Sequence, residues 1–367
     1  MSKTLIDYFK NTKTFIRYRY WEYWPIWLVY LPVIPVALFY AFRMRRFFFF
    51  SNVNPIFKTG AFLGASKFKI LSQIPGQYIP QTILIRNTGD RIRSAIDQLR
   101  NSGISYPLIV KPDVGERGLL VELINNESEL VDYLSANEID ILIQEYITHK
   151  NECGIFYVRK PSEKKGKIVS VGLKAFFNII GDGKSTVRQL MERIPRYRLQ
   201  IERFEERNKS ILDQVPEEDE VLQLEPIGNH SRGTTFIDGN HLISKELDDL
   251  FDNINAQMPD VYYGRFDVKY NKWEDLVKGV EFKILEMNGV ASEPIHIYDQ
   301  AVPIRDKYKC LFGCWKTLFE ISNIQKSRGI LPIKLPVAFR EFMNYKNYIK
   351  SINLNWRNET GTSFGIS

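Results

Sequence analysis

Two alternating stretches in the second half of this chain constrain its fold more than any other feature. Residues 262–270 and 280–287 both alternate apolar and polar side chains, which is the pattern of β-strands, and the gap between them is short enough for a hairpin. A two-residue step along a strand keeps both side chains on one face. The paired strands would therefore present two carboxylates and an amide oxygen together, from Asp267, Glu286 and Asn288.

These three side chains are candidate metal ligands. Mg²⁺ prefers hard oxygen donors, keeps several waters and takes further ligands from substrate phosphates. Asp267, Glu286 and Asn288 thus predict a bound nucleotide, although carboxylates on exposed strands are also common without any ligand. The prediction therefore depends on phosphate-binding groups elsewhere in the chain.

Two lysines on apolar strands are candidates for those groups. Lys111 ends one apolar strand, and a turn containing Gly115 and Gly118 follows before the next, at 119–123. Glycine lets backbone N–H groups approach phosphate oxygens closely, and a nearby lysine supplies compensating charge. Lys174 interrupts another apolar strand and is the candidate for a second phosphate-binding lysine.

A further apolar strand, which begins at Ile141, lies between the two lysines. Its end offers backbone groups to an adenine edge, and a carboxylate seven residues beyond Glu145 is placed to accept from ribose hydroxyls. These candidate residues are Gln144, Glu145, Tyr146, Ile147 and Glu152.

The order of these elements resembles the ATP-grasp superfamily, most closely carboxylate–amine ligases such as D-alanine–D-alanine ligase, glutathione synthetase and cyanophycin synthetase. The resemblance spans about residues 79–299. It implies an α+β ATP-grasp core, in which two α+β subdomains hold ATP between antiparallel sheets.

The resemblance also implies roles for residues of this chain. Lys111 and Lys174 would contact the α and β phosphates, residues 145–147 would border the adenine, and Glu152 would bind the ribose. Asp267, Glu286 and Asn288 would hold one or two Mg²⁺, with Mn²⁺ as a substitute. Arg265 would steady the transferred phosphate, so that the catalytic residues would be Arg265 and Lys174.

A string at residues 181–186, Gly-Asp-Gly-Lys-Ser-Thr, looks like the end of a P-loop. That motif needs a glycine five residues before Gly183, and the chain has Asn178 there. The simpler interpretation is a turn in which Ser185 or Thr186 caps a helix over 187–194. Similar strings occur at the corresponding place in cyanophycin synthetase and its relatives.

The N-terminal region breaks the pattern of a soluble protein. Residues 23–42 carry no charge, and such a stretch is long enough to cross a bilayer when helical. Three prolines in it favour kinks, and both flanks are basic, so a spanning helix and a re-entrant or monotopic insertion both stay open. A buried core helix is a third interpretation. We expect membrane lipid as a partner and a catalytic portion that faces the cytoplasm, where ATP is available.

The sequence predicts four regions. They are a membrane anchor at 1–50 with its embedded segment at 23–42, a short linker or reduced region at 51–106, the ATP-grasp domain at 107–300, and a helical C-terminal tail at 301–367. Within them we expect a strand at 81–86 and helices at 91–101, 196–214 and 308–324. Carboxylate–amine ligases usually carry a complete α/β domain ahead of the core, so the family's acceptor site does not carry over.

Substrate-binding candidates come from the turn at residues 228–233. An arginine suits bidentate recognition of a carboxylate, so we predict that His230 and Arg232 bind substrate, with an exposed structural turn as the alternative. Three residues after the metal strand are weaker candidates for the acceptor side: His296, Tyr298 and Asp299.

Composition excludes some classes of function. The three cysteines form no metal-binding signature and suit a reduced compartment. No basic run interleaved with aromatic residues marks a nucleic-acid groove, while the net charge of +7 is compatible with attraction to an anionic membrane leaflet.

The prediction is therefore an ATP-dependent ligase that activates a carboxylate as an acyl phosphate and joins it to an amine, at a membrane surface. Its substrates would be a small-molecule or lipid-linked acid and amine. Two other classes stay open, a kinase of a small alcohol and a non-catalytic nucleotide-binding membrane adaptor. The oligomeric state is not predicted.

Overall fold

The computed structural model describes residues 12–115, 118–225, 228 and 232–360. Its strands are β1 (Thr82–Ile85), β2 (Leu108–Pro112), β3 (Glu122–Ile124), β4 (Ile141–Glu145), β5 (Asn151–Val158), β6 (Lys167–Ala175), β7 (Phe177–Ile180), β8 (Val221–Glu225), β9 (Thr235–Asp238), β10 (Tyr263–Tyr270) and β11 (Phe282–Asn288).

The helices fall before, between and after these strands. They are α1 (Lys13–Arg19), α2 (Ile26–Tyr30), α3 (Ile34–Met44), α4 (Lys67–Leu71), α5 (Arg91–Ser102), α6 (Glu127–Ala136), α7 (Val187–Arg193), α8 (Pro195–Arg198), α9 (Ile201–Arg207), α10 (Lys209–Leu212), α11 (Lys245–Ala256), α12 (Trp273–Val277), α13 (Ile304–Ser327) and α14 (Leu335–Thr360).

Two antiparallel sheets form the centre of the molecule. The first has the strand order β1-β4-β2-β3, and the second has the order β11-β10-β5-β6-β9. The short pair β7-β8 stands apart. The predicted α+β fold with antiparallel sheets is confirmed.

The second sheet is amphipathic because its side chains alternate between two faces. On β10, Phe266 and Val268 are buried in a hydrophobic core, which they share with Leu247, Phe251 and Ile254 of α11. Helix α11 covers this face of the sheet. The alternate positions of β10 are polar and point to the opposite face, so the sequence periodicity separates the core from the site.

Helices α5 and α6 cover the first sheet. Leu99 of α5 and Leu134 of α6 are buried together with Ile141 and Ile143 of β4. Asp90 caps α5 by accepting a hydrogen bond from the backbone N–H of Arg93, at 3.2 Å. The strand expected at 81–86 is β1 and the helix expected at 91–101 is α5. The strand expected at 119–123 is found only in part, because β3 begins at Glu122 and residues 119–120 form a turn.

The region 181–214 differs in part from expectation. Thr186 caps α7 in a capping box with Gln189, which is the predicted role for this P-loop-like string. The single charged helix expected at 196–214 is wrong, because α8, α9 and α10 replace it. Asn208, with φ −155° and ψ 67°, has a non-helical backbone and separates α9 from α10.

The apolar segment 23–42 does not form one helix. Pro25 precedes α2, and Pro35 lies in the first turn of α3, so the prolines divide the segment where their missing N–H groups are tolerated. Among the described residues, no helix has both the length and the apolar character needed to cross a bilayer. The expectation of a spanning helix is therefore not supported.

Part of this segment packs against the C-terminal tail. The rings of Tyr40 and Phe319 stack with centroids 4.6 Å apart. Met44 is buried in the same cluster as Leu318 and Ile321 of α13. Helices α3 and α13 thus form one layer, although nearly the whole chain separates them in sequence.

Candidate active site

The predicted metal ligands lie together on the polar face of the second sheet. Asp267 of β10 is the register partner of Glu286 of β11, and Arg265 is the partner of Asn288. The side-chain amide of Asn288 donates to Glu286 Oε1 at 3.1 Å. The antiparallel pairing that the sequence predicts is the one that the structure has.

Asp267 is surrounded by cations. Arg265 donates from Nε to Asp267 Oδ1 at 2.7 Å and from Nη2 to Oδ2 at 3.3 Å, while Lys174 Nζ lies 3.4 Å from Oδ2. Burial alone would raise the pKa of Asp267, but the charges of Arg265 and Lys174 outweigh burial and hold it well below its usual range. The carboxylate is therefore ionised at neutral pH.

Glu152 and Lys174 are register partners on β5 and β6 and form a buried ion pair. Burial raises the pKa of Glu152, and Lys174 opposes that rise. Burial lowers the pKa of Lys174, but Asp267 and Glu152 outweigh it and leave that pKa raised. Glu152 thus faces Lys174 in this structure, and the predicted roles of Glu152 at the ribose and of Lys174 at the phosphates stay predictions.

Lys111 connects the two sheets. Its Nζ donates to Gln144 Oε1 at 2.9 Å within the first sheet and to the carbonyl of Leu285 on β11 at 3.4 Å. Burial lowers the pKa of Lys111 from 10.5 to about 8, despite the nearby carboxylate of Glu286. Lys111 therefore lies buried between the two sheets, where it lines the cleft that they share.

The predicted adenine-binding residues border this cleft together with a lysine that sequence reasoning missed. Lys269 Nζ donates to the carbonyl of Ile147 at 3.1 Å and lies 5.3 Å from the centre of the Tyr146 ring. Glu145 Oε2 accepts from the backbone N–H of Gln81 at 3.2 Å. Lys269 follows Asp267 by two residues, so the period of the strand was the signal that could have found it.

The glycine turn lies at the edge of the same cleft. Gly118 has a φ of 71°, a left-handed conformation that suits glycine. The side chain of Lys67 donates a hydrogen bond to the carbonyl of Gly115. The two residues between these glycines, 116 and 117, lie outside the described residues.

Of the two predicted substrate residues, Arg232 does not line the cleft. His230 lies outside the described residues. Arg232 Nη2 donates to the carbonyls of Gly118 and Val121 at 2.9 and 3.2 Å, and Nη1 lies 3.5 Å from Glu225 Oε1. In this structure Arg232 holds the glycine turn, and its role as a substrate ligand stays a prediction.

The three weaker candidates for the acceptor side differ in where the structure places them. His296 Nδ1 is 2.6 Å from Ser170 Oγ in a buried contact, and Asp299 accepts from the backbone N–H of Asp238 at 2.7 Å. Both contacts connect parts of the fold. Tyr298, in contrast, lines the cavity that contains the metal ligands.

One cavity of about 1620 Å³ joins these groups. The predicted nucleotide and metal residues that line it are Lys111, Gly115, Gly118, Gln144, Glu145, Tyr146, Ile147, Glu152, Lys174, Arg265, Asp267, Glu286 and Asn288. The site residues therefore converge on one space, apart from Arg232 and the undescribed His230.

The donor set fits Mg²⁺. Within the described parts of the chain, no group of three or more His, Cys, Asp or Glu side chains is arranged as a metal site. Asp267, Glu286 and Asn288 instead offer two carboxylates and an amide, an incomplete set of hard donors that phosphates and water would complete.

Glycine at position 154 makes room for the arginine of this site. A Cβ on Gly154 would lie 3.0 Å from Arg265 Cδ and 2.9 Å from Ile295 Cδ1. Gly154 is the register partner of Asp267 on β5, so a larger side chain would displace the pair between Arg265 and Asp267.

Several solved structures are distantly similar to this chain. A bifunctional glutathione synthetase from Pasteurella multocida is 16% identical, with 67% of this chain and 35% of that chain covered and a TM-score of 0.33. A D-alanine–D-alanine ligase from Bacillus anthracis is 13% identical, with 72% and 68% covered and a TM-score of 0.39. VanG D-Ala:D-Ser ligase from Enterococcus faecalis is 11% identical, with 70% and 61% covered and a TM-score of 0.39.

This chain spans about a third of the length of the bifunctional glutathione synthetase. No curated protein matches it. The family comparison gives a match over residues 65–159, from α4 to the end of β5. The resemblance to the ATP-grasp superfamily is confirmed by this match, which is to the RimK-like ATP-grasp domain.

Proposed function

We propose that this protein is an ATP-dependent ligase that activates a carboxylate as an acyl phosphate and joins it to an amine. The observation that carries the proposal is the pairing of Asp267 with Glu286 in the cavity that also contains Lys111 and Lys174. Oxygen donors and ammonium groups that line one cavity suit a triphosphate with its metal ion. The match to the RimK-like ATP-grasp domain supports the same chemistry.

The reaction balances in two steps. A carboxylate oxygen of the acid attacks the γ-phosphorus of ATP, and the bond between that phosphorus and the β,γ-bridging oxygen breaks to release ADP. The amine nitrogen then attacks the carbonyl carbon of the acyl phosphate, and the bond from that carbon to the phosphate oxygen breaks. The phosphate leaves with the electron pair and takes the proton that the nitrogen loses.

The residues of the cavity stabilise charge and hold geometry. Lys111 and Lys174 would bind phosphate oxygens, and Arg265, held by Asp267, would face the charge that develops on the transferred group. Asp267, Glu286 and Asn288 would hold Mg²⁺, which when bound neutralises charge on the phosphates. Positioning in a preorganised polar cavity supplies the remainder of the rate enhancement.

We also propose that the enzyme works at a membrane surface, with its cavity facing the cytoplasm and lipid as a partner. Helix α3 carries exposed apolar side chains on one face, with Leu38 at 50%, Phe39 at 55% and Phe42 at 83% exposure. The exposed arginines Arg43 and Arg45 follow. An apolar helix face bordered by arginines is typical of a segment that lies in the interface of an anionic membrane.

The substitution Asp267→Asn tests the ligase proposal. We expect ADP release with panels of acids and amines to fall on the order of 10³-fold or more, because the variant loses a metal ligand and releases Arg265. Asp275→Asn, on the α12 connection between the same two strands, is the matched control and should keep full activity.

Product analysis by mass spectrometry completes this test. An amide, ADP and phosphate in equal amounts support the proposal. ADP release at the wild-type rate by Asp267→Asn contradicts it, and so does a stable phosphorylated alcohol as the product, which is the result expected of a kinase.

A further inference from the structure

The lining of this single cavity extends past the contact of Arg265 with Glu293, and we call that part of the cavity the second compartment. Its walls come from α2 and α13, which are elements of the N-terminal segment and the C-terminal tail. Apolar side chains supply most of this lining, including Val29, Leu311, Trp315 and Leu318. The compartment therefore suits an apolar group rather than a second phosphate.

One carboxylate faces this apolar compartment. Glu293 lines the cavity and accepts hydrogen bonds from the hydroxyls of Tyr30 and Tyr298, one on each carboxylate oxygen. Within the part of the chain that the structure describes, no lysine, arginine or histidine forms an ion pair with it. Two phenols hold its orientation, and its negative charge is left without a compensating cation.

Glu293 is also connected to the reacting centre. Its backbone carbonyl accepts a hydrogen bond from Arg265 Nη1 at 3.1 Å. The same guanidinium holds Asp267. A group bound by the Glu293 carboxylate would therefore lie next to the arginine that we propose for the transferred phosphate.

We propose that this compartment is the acceptor site, where Glu293 binds the ammonium group of an amine that has an apolar body. The inference rests on the proposed ligase function and names the class of its amine substrate. A carboxylate in an apolar, partly desolvated cavity prefers a cationic partner because its charge is poorly compensated by water there.

The mouth of the cavity supports an amphiphilic acceptor. Tyr18, Ile26 and Trp27 line the cavity and are 63%, 55% and 64% exposed. Large apolar side chains at an opening mark the entry of an apolar ligand. In this arrangement the N-terminal segment supplies one wall of the proposed acceptor site.

The test measures binding of three probes to the full chain in the absence of ATP. We expect hexylamine to bind at least about tenfold more tightly than hexanol, which lacks the charge, and than methylamine, which lacks the apolar body. Glu293→Gln should remove that preference for hexylamine, while Glu293→Asp should keep most of it. Glu274→Gln, an exposed carboxylate on α12, is the control and should bind as the wild type does.

A second arm identifies the source of the amine. Vesicles that contain phosphatidylethanolamine present the amine on a lipid, and vesicles of phosphatidylcholine alone do not. Retention by the first kind that depends on Glu293 supports a lipid-linked acceptor, whereas Glu293-dependent binding of hexylamine without a vesicle preference supports a soluble one.

Two results overturn the proposal. One is equal affinity of the wild-type protein for hexylamine and hexanol, a result that does not depend on any variant. The other is unchanged hexylamine binding by folded Glu293→Gln. Binding of ATP is followed separately and should be the same in wild type and Glu293→Gln, so that failure of the acceptor site is distinguished from failure of the ligase function.

Discussion

The polar face of the second sheet and the apolar segment 23–42 line one cavity, yet the sequence predicts the structure of the first much better than that of the second. On the sheet, Asp267 and Glu286 are register partners, and the alternating pattern predicts this arrangement. In the segment, an uncharged stretch indicates lipid, whereas in the structure Val29 and Val33 are only 2% and 0% exposed.

The difference comes from the distance over which each arrangement is determined. The period of a strand is local, so two residues on one strand share a face wherever the strand lies. Whether an apolar helix contacts lipid or protein depends on a partner elsewhere in the chain. For α3 that partner is α13, and no short-range pattern predicts that the two helices meet.

The largest effect should follow from breaking the buried ion pair on the sheet. Lys174→Met leaves Glu152 without its partner, and we expect a loss of about 3 kcal/mol or more in the free energy of unfolding together with roughly 100-fold weaker ATP binding. The double variant Lys174→Met with Glu152→Gln should recover most of the stability and none of the affinity. Thermal unfolding and titration with ATP measure both quantities, and recovery of ATP affinity by the double variant would contradict the proposed role of Lys174.

A smaller effect on the free energy of unfolding should distinguish the buried face of α3 from its exposed face. Met44→Ala removes a buried side chain from the cluster with Leu318 and should cost about 2–4 kcal/mol in the free energy of unfolding. Phe42→Ser, at an exposed position, should change it by no more than about 0.5 kcal/mol. Equal destabilisation by the two variants would show that α3 does not pack on α13 as described.

The smallest effect concerns pH and distinguishes Lys111 from the other cations. Because the pKa of Lys111 is lowered from 10.5 to about 8, the folded protein loses this proton before the unfolded chain does. Above about pH 8 the lysine is neutral in the nucleotide-free protein, so affinity for ATP should fall.

Stability should change in the opposite direction. Between the two pKa values the unfolded chain binds more protons than the folded one, so the contribution of Lys111 to stability rises with pH in that window. Lys111→Met should lack both dependences. A wild-type affinity for ATP that stays constant from pH 7 to 10 would contradict this assignment.

Much of the proposed nucleotide-binding part of the cavity could be predicted, because its residues follow strand periods and familiar turn chemistry. The capping role of Thr186 was likewise a local property. Lys269 was accessible to the same reasoning, since it follows Asp267 by two residues. What could not be predicted was the pairing of Glu152 with Lys174, because the sequence alone does not give the register of β5 against β6.

The proposed acceptor site could not be predicted from the sequence for a different reason. Glu293 and Tyr30 are 263 residues apart in the chain, and each is an ordinary residue in its own neighbourhood. Val29 of α2 packs in one buried cluster with Ile297 and Leu311, and this long-range packing brings Tyr30 to Glu293. Arg232 shows another contact that the sequence did not predict, since its guanidinium donates to backbone carbonyls of the glycine turn, while its role as a substrate ligand stays a prediction.

Hydrogen bonds connect the N-terminal region of the chain to its C-terminal tail. Ser322 Oγ donates to Asn52 Oδ1 at 2.7 Å, and Asn52 Nδ2 donates to the carbonyl of Ile330 at 2.6 Å. A shortened protein that began at residue 53, made to avoid the apolar N-terminal segment, would lose these hydrogen bonds together with Val29 and Tyr30. In our proposal, such a fragment would still bind nucleotide but would lack part of the wall of the acceptor site. Its inactivity in an assay would therefore say nothing about the activity of the intact protein.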